Sequence, residues 1–453
     1  MSIIETTNPY TNNKIKSYTK FSSEKVNSML KTAENTFKDW KLISLKDRAK
    51  LLDNVADVLH QNIESYSQLI TDEMGKPISE SKAEIEKCII LCDFYRKNAD
   101  LLLSDDLIET EAQESFISYD PLGVILAIMP WNYPFWQVMR FAIPTLTSGN
   151  TALLKHASNV TGCSLIIQDI FEKSGYPKGC FQTLLVDHDQ IEKIIEDDTI
   201  KAISLTGSEK AGRKIAEIAG KNLKKAVLEL GGNNACIILE DANLDKYMDT
   251  IVKSRMQNTG QSCIAAKRFI VVESIYDKFL ERFTSKIKDL KSGDPSNKDT
   301  DIGVLAREDL SDTLEKQVEK SIKKGAYVHF GNVKKQTYYQ PTILTNVKPG
   351  MPVFDEETFG PVASIIKVKN KQEAYEMASD SKFGLGTMIF TKDIEDAKKH
   401  ISNIEDGSFF INELVKSDPR LPFGGTKASG YGRELSKEGI LEFVNKKTIY
   451  INK

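Results

Sequence analysis

A chain of 453 residues exceeds what one hydrophobic core organises, so two or three domains are expected. Hydrophobic residues at 40% and charged residues at 28% are ordinary for a soluble globular protein, and no apolar run nears the ~20 residues of a membrane span. The net charge of −3 comes without a block of one sign, which argues against nucleic acid or an anionic membrane surface as the main partner.

From Ser23 to about Asn98 apolar residues recur three and four apart, as in VNSMLKTAENTFKDW and DRAKLLDNVADVLHQNIESYSQLI, and predict a helical entry layer. ESFISYDPLGVILAIMP (114–130) reads as a strand pair followed by a buried strand over Val124–Ile128. The apolar runs TALLK (151–155), FQTLLV (181–186), KAISL (201–205) and KAVLEL (225–230) then alternate with helix-length segments. That alternation implies parallel βαβ units, whose ligands sit at the carboxyl ends of the strands. Those ends carry Trp131-Asn132, Lys155-His156, Thr206-Gly207-Ser208 and Glu229-Leu230-Gly231-Gly232, pointing to one cleft. A second alternating region, about 233–425, has strands near ACIILE, RFIVVE, AYVHF, PVASIIKV, TMIFT and GSFFIN. The Lys/Glu mixtures at 278–290 and 314–324 read as solvated helix faces. The tail FVNKKTIYINK reads as a strand that needs a partner sheet.

NTGQSCIAAKRF (258–269) places Cys263 between a Gly/Gln/Ser loop and an apolar run, where a thiol is both held and reachable. A buried structural thiol is the competing reading. Glu229, closing an apolar strand before two glycines, is a carboxylate whose pKa burial raises, as a general base requires, or it simply caps the turn. Asn132, wedged in PWNYP, is a fixed amide suited to an oxyanion, or a turn residue. The turn 205–212 is either a phosphate-binding helix start or a Ser208 N-cap. Lys155 either reaches a ribose or phosphate or snorkels at the surface. No complete G-x-G-x-x-G is present at Gly384 or Gly430. Cys88, Cys92, Cys163, Cys180, Cys236 and Cys263 are scattered, which suggests reduced thiols in a cytoplasm. The five dispersed histidines offer no metal site.

In order, the chain carries PWNYPFWQVMRFAIPTLTSGNTALLKHAS, LTGSEKAGRKIAE, LELGGN, NTGQSC, EETFGPV and LPFGGTKASGYGRE. Together with the spacing from Glu229 to Cys263, these resemble the aldehyde dehydrogenase superfamily over essentially the whole chain. QNTGQ-x-C-x-AAKRF and FGG-x-K-x-SG-x-GREL are most similar to its short bacterial succinate-semialdehyde dehydrogenases. The resemblance implies an α/β fold with a Rossmann-type cofactor domain (1–102 and 121–231), an α/β catalytic domain (232–430) and a small β oligomerisation sheet (103–120 and 431–453). It also implies a homodimer or homotetramer.

Carried over by motif, Cys263 attacks the aldehyde and Asn132, with the Cys263 N–H, holds the oxyanion. Hydride then leaves to NAD or NADP, and Glu229 activates the water that releases the acid. Trp131, Lys155, Ser158, Thr206, Gly207, Ser208, Leu230, Glu357 and Phe359 are the implied cofactor contacts. Ser158 stands where many NAD-preferring members have an acid, which admits NADP; Ser158 or Asn159 as a helix cap is the alternative. Arg140, eight positions after Asn132, is the implied partner of a substrate carboxylate, against a helix-face arginine in a surface salt bridge. Arg255 and Lys416 are candidate second partners, since Gln257 stands where mammalian-type enzymes have an arginine. Asn233 departs from the family's lysine without a mechanistic account. The implied reaction is oxidation of succinate semialdehyde to succinate, with a broad aliphatic or aromatic aldehyde dehydrogenase as the alternative. A CoA-acylating enzyme fits less well because Glu229 is present, and a non-catalytic scaffold less well still.

Overall fold

The computed structural model describes residues 2–452; Met1 and Lys453, the outermost residues of the expected cofactor unit and tail, lie outside the described residues. The chain opens with an antiparallel hairpin, β1 (Ile3–Thr7) and β2 (Lys14–Thr19), not expected from sequence. Its residues are short-period and mostly exposed, so no hydrophobic alternation announces it. The helical layer follows as α1 (Ser23–Trp40), α2 (Leu45–Gln61), α3 (Ile63–Met74) and α4 (Ile78–Leu102). Ser22 and Ser44 cap α1 and α2 by accepting from Lys25 N and Asp47 N, and α3 stops at Gly75, whose φ of 81° favours glycine. Leu52, Val55 and Leu59 of α2 pack with Ile85, Leu91 and Tyr95 of α4 in the largest core.

β3 (Asp106–Leu107) and β4 (Glu114–Pro121) precede β5 (Val124–Met129). The expected strand pair within 114–130 does not form: β4 runs unbroken through Asp120 and pairs instead with the C-terminal strand Val444–Ile451, and with β3 on its other side. Next come α5 (Trp136–Thr147), β6 (Thr151–His156), α6 (Thr161–Lys173), β7 (Phe181–Thr183), α7 (His188–Glu196), β8 (Ile200–Thr206), α8 (Glu209–Lys221) and β9 (Lys225–Glu229). Five of these strands form a parallel sheet in the order β9-β8-β5-β6-β7, β5 and β6 being almost wholly buried because helices cover both faces. From β5 the chain steps outward through β6 and β7, then returns to β8 and β9 on the other side, which makes the β5 edge a switch point. Ile128 lies opposite both Lys155 and Leu205, and Thr206 opposite Glu229, so these strand ends share one edge. Gly430–Tyr431 closes the sheet antiparallel to β9. At Gly430, with φ 112°, a Cβ would lie 2.0 Å from the Leu228 carbonyl, so only glycine lets this loop reach Glu229.

The second sheet contains β10 (Asn234–Ile238), β11 (Ala266–Val272) and β12 (Tyr327–Phe330). Helices α9 (Leu244–Met256), α10 (Glu273–Lys288) and α11 (Glu308–Lys323) are interspersed with these strands. With Thr342–Thr345, Val362–Val368, Thr387–Phe390 and Phe409–Ile411 it has seven strands, all parallel except β12.

Candidate active site

Cys263 follows a tight loop between α9 and β11. Asn258, Thr259 and Gly260 are all left-handed (φ 58°, 53° and 74°), a strain of about 1–3 kcal/mol per non-glycine residue. A dense network offsets it. Asn258 Nδ2 donates to the carbonyls of Asn132 (2.9 Å) and Gln261 (3.0 Å), and the Asn258 N–H donates to Glu80 Oε2 (2.7 Å). Gln261 Oε1 accepts from the Ala306 N–H at 2.9 Å. Lys267 Nζ donates to the carbonyls of Ser262 and Cys263, both at 2.9 Å. Arg255 is fully buried and donates to the carbonyls of Ala266, Gly260 and Gly360. It is therefore a tie for the loop and not a second substrate partner. Lys416 is exposed, paired with Glu413 at 3.0 Å, and lines the cavity that holds Cys263.

Cys263 is half-buried, whereas the other five cysteines are buried. Burial pushes its thiol up to about 11; Lys267 and Arg140 pull it down, and Glu357 and Glu229 push it further up.

Asn132 is 4% exposed. Its Nδ2 spends one N–H on the Gln261 carbonyl at 3.1 Å, leaving the second, and the Cys263 N–H has no protein acceptor among the described residues. His156 steadies this loop from beneath: its Nε2–H donates to the Pro134 carbonyl at 2.9 Å, while Nδ1 accepts from the Ala157 N–H at 2.9 Å. Burial pushes His156 down to about 4, keeping it neutral. Behind them Lys76 and Glu84 form a fully buried ion pair. Glu84 Oε1 accepts the N–H groups of Phe135 and Trp136 at 2.8 Å, and Lys76 Nζ reaches the Asn132 carbonyl at 3.3 Å.

Glu229 ends β9 at 3% exposure, and neither carboxylate oxygen has a hydrogen-bond partner among the described residues. Burial, then the neighbouring Glu434, holds it well above the usual carboxylate range, while Arg140 and Arg433 oppose that. Arg140 is 2% exposed, ion-paired with Glu434, 3.5 Å from Thr206 Oγ1, and stacked 4.6 Å over Phe423. It is no surface arginine. A cavity of about 710 Å³ joins Arg140 to Cys263 and is walled by Tyr133, Trp136, Phe423 and Lys87.

At the shared sheet edge, Lys155 is buried and unpaired among the described residues, near Asp187 and Lys20. Ser158 is exposed, and the following helix has no side-chain cap, so the cap reading of Ser158 and Asn159 does not hold. Ser208 caps α8 by accepting from Ala211 N at 3.3 Å, while Gly207 N donates to the Glu229 carbonyl at 3.0 Å. Leu230 packs against Gly212, where a Cβ would approach to 2.6 Å. Glu357 accepts from Gly232 N at 3.0 Å and faces Lys267 at 3.3 Å; a Cβ at Gly231 would meet its Oε2 at 2.5 Å. Trp131 and Phe359 meet edge-to-face at 5.7 Å. Helix-start N–H groups, an unpaired lysine, an exposed serine and an oriented carboxylate are the donor and acceptor set a phosphorylated dinucleotide calls for, so these residues fit one.

Lys267, Glu434, Lys76, Glu84 and Lys87 escaped the sequence reading. Lys267 alone had a signal there, as a lysine heading the apolar run of β11. Asn233 is a tether: its Nδ2 donates to the Phe354 carbonyl at 2.6 Å.

A half-buried thiol, a partnerless buried carboxylate and uncommitted amide donors beside a dinucleotide-type sheet edge define a thiol-dependent oxidoreductase centre. The aldehyde dehydrogenase family profile matches residues 1–449, and the chain belongs to that family. It is 48% identical over 451 residues, 99% of both chains, to the probable succinate-semialdehyde dehydrogenase (NADP(+)) of Synechocystis sp. strain PCC 6803. It is 43% identical over 454 residues, again 99% of both, to succinate-semialdehyde dehydrogenase (NADP(+)) 1 of Mycobacterium tuberculosis strain H37Rv. Among solved structures it superposes with a TM-score of 0.97 and 37% identity on succinic semialdehyde dehydrogenase from Streptococcus pyogenes in complex with NADP+, covering 99% of this chain and 100% of that one.

Proposed function

We propose that the protein oxidises succinate semialdehyde to succinate with NADP, or less efficiently NAD, through a thioester on Cys263. The observation that carries this reading is Arg140, buried in the wall of the cavity that holds Cys263. The relatives' named activity and cofactor support it.

Glu229, as base, removes the Cys263 proton, and the sulfur adds to the aldehyde carbon. The spare N–H of Asn132 and the Cys263 N–H stabilise the developing oxyanion. When bound, the nicotinamide cofactor would accept the hydride that leaves this adduct. Once Glu229 has passed that proton to solvent, it takes a proton from the water that attacks the thioester, and the sulfur leaves as thiolate with the acid released. Lys155, Ser158, Thr206, Gly207, Ser208 and Leu230 would hold the adenosine and phosphate end, Ser158 without the repulsion a carboxylate would offer a 2′-phosphate. Glu357 would hold the nicotinamide ribose, flanked by Trp131 and Phe359. The parallel sheet of β5–β9 would serve the cofactor and the seven-stranded sheet catalysis. The β3-β4 sheet with the tail would join a homodimer or homotetramer in the cytoplasm. Exposed Leu107, Ile108, Tyr450 and Ile451 on that sheet support the assembly, and six free cysteines support the compartment.

Steady-state NADPH formation tests the reading. We expect kcat/KM for succinate semialdehyde to exceed that for butanal by at least ~10², about 2.7 kcal/mol of discrimination. Equal values would make the protein a broad-specificity aldehyde dehydrogenase and leave Arg140 as structure.

A further inference from the structure

Arg140 alone is an incomplete anchor for an anion, because its charge is already met by Glu434. Another cation faces the same cavity. Lys87, on α4 one turn from Glu84, projects its Nζ to 4.0 Å over the Trp136 ring and 2.6 Å from Ser417 Oγ. Trp136 and Arg140 are themselves one turn apart on α5, so Lys87 and Arg140 flank a single stretch of wall.

Lys87 forms no ion pair among the described residues. The carboxylates whose charges reach it are Glu84 and Asp418, and both are committed elsewhere. Glu84 is bound by Lys76 and two backbone N–H groups, and Asp418 is held bidentately by Arg420 at 2.8 and 2.6 Å. The remaining titratable neighbours are Arg140 on α5, which repels it, and Cys88 on its own helix. An ammonium has three donors, and Ser417 takes one. A half-buried cation that has lost part of its water and keeps spare donors is favoured when an anion joins it.

We propose that Lys87 is the specificity-determining residue of the pocket, supplying the uncompensated positive charge that binds the distal carboxylate of the substrate between itself, Ser417 and Arg140. This rests on the acid-aldehyde reading above and names the group that enforces it. Selection follows from the same preference: a neutral aldehyde leaves Lys87 unmatched, while a carboxylate at the cavity wall restores neutrality.

Burial and then Arg140 bring Lys87 down to about 8. Raising the pH through that value removes its proton and its hold on a carboxylate. KM for the acid aldehyde should therefore climb above pH 8 while that for butanal stays level.

The test compares wild type, Lys87→Met and Lys87→Arg with succinate semialdehyde and butanal, alongside thermal unfolding of each. We expect Lys87→Met to raise KM for succinate semialdehyde at least tenfold with kcat changed less than threefold, and to leave kcat/KM for butanal equal or higher. Lys87→Arg should restore most of the preference and abolish the rise in KM above pH 8. Equal losses on both substrates in Lys87→Met, or an unchanged preference in it, would overturn the assignment while the wild-type preference stood. A wild type without preference would overturn the acid-aldehyde reading, and this proposal with it. Should Lys87→Met fail to fold, the pH profiles of wild type and Lys87→Arg decide: identical profiles would contradict the role.

Discussion

Two walls of the active site are built on opposite terms. Around the Cys263 loop most side-chain donors are committed: Asn258 Nδ2, Gln261 Nε2, Lys267 Nζ and the terminal nitrogens of Arg255 all donate to backbone carbonyls. By contrast, neither carboxylate oxygen of Glu229 has a hydrogen bond among the described residues, and the Lys87 cation has no partner carboxylate there. A satisfied network fixes geometry, since removing any partner strands another buried group. An unsatisfied set holds groups at raised energy until substrate, water or a proton arrives. The first wall is therefore where mutations should cost stability, and the second where they should cost activity with little or no loss of stability.

The largest effect tests the nucleophile that the first wall presents. Cys263→Ala should lower turnover by about four orders of magnitude without changing the thermal midpoint. A residual rate near wild type would move the chemistry elsewhere. On the second wall, Glu229→Gln should cut kcat by about 10²–10⁴. Because it removes a buried carboxylate with no partner, its Tm should hold or rise; a clear drop would erase the contrast between the walls. On the first wall, Arg255→Met should lower the unfolding free energy by about 3 kcal/mol in urea titrations, since several carbonyls lose their donor. A loss under about 0.5 kcal/mol would mean the loop does not depend on it.

The smallest effect is electrostatic. With its thiol near 11, Cys263 is protonated at neutral pH, and the thiolate fraction grows as pH rises. Iodoacetamide alkylation of the unliganded protein should accordingly speed up about tenfold per pH unit between 7 and 10, at Cys263 alone. A plateau reached by pH 8 would place the thiol far lower.

The sequence made the parallel strands, the helical layer and the cysteine loop legible because each had a period or a motif of its own. The pairing of β4 with the tail was only implied by resemblance, since nothing local to either strand names its partner. Cys263, Glu229 and Asn132 stood out as polar residues at apolar boundaries. Lys87 and Glu84 did not, because α4 reads as a helix rich in lysine and glutamate, where charges are ordinarily solvated, and Lys76 lies in the turn just before it. Only packing distinguishes Lys76, buried and paired, from Lys87, half-buried and unpaired. Glu434 lay inside the GRE motif, with no local sign that it would face Arg140 from nearly three hundred residues away.

The central claim, acyl transfer through Cys263 with release by Glu229, is tested most directly by trapping the acyl-enzyme. Glu229→Gln, given succinate semialdehyde and NADP and quenched in acid, should gain the mass of one succinyl group, mapped to the peptide bearing Cys263. An unmodified cysteine after a full equivalent of NADPH has formed would contradict it.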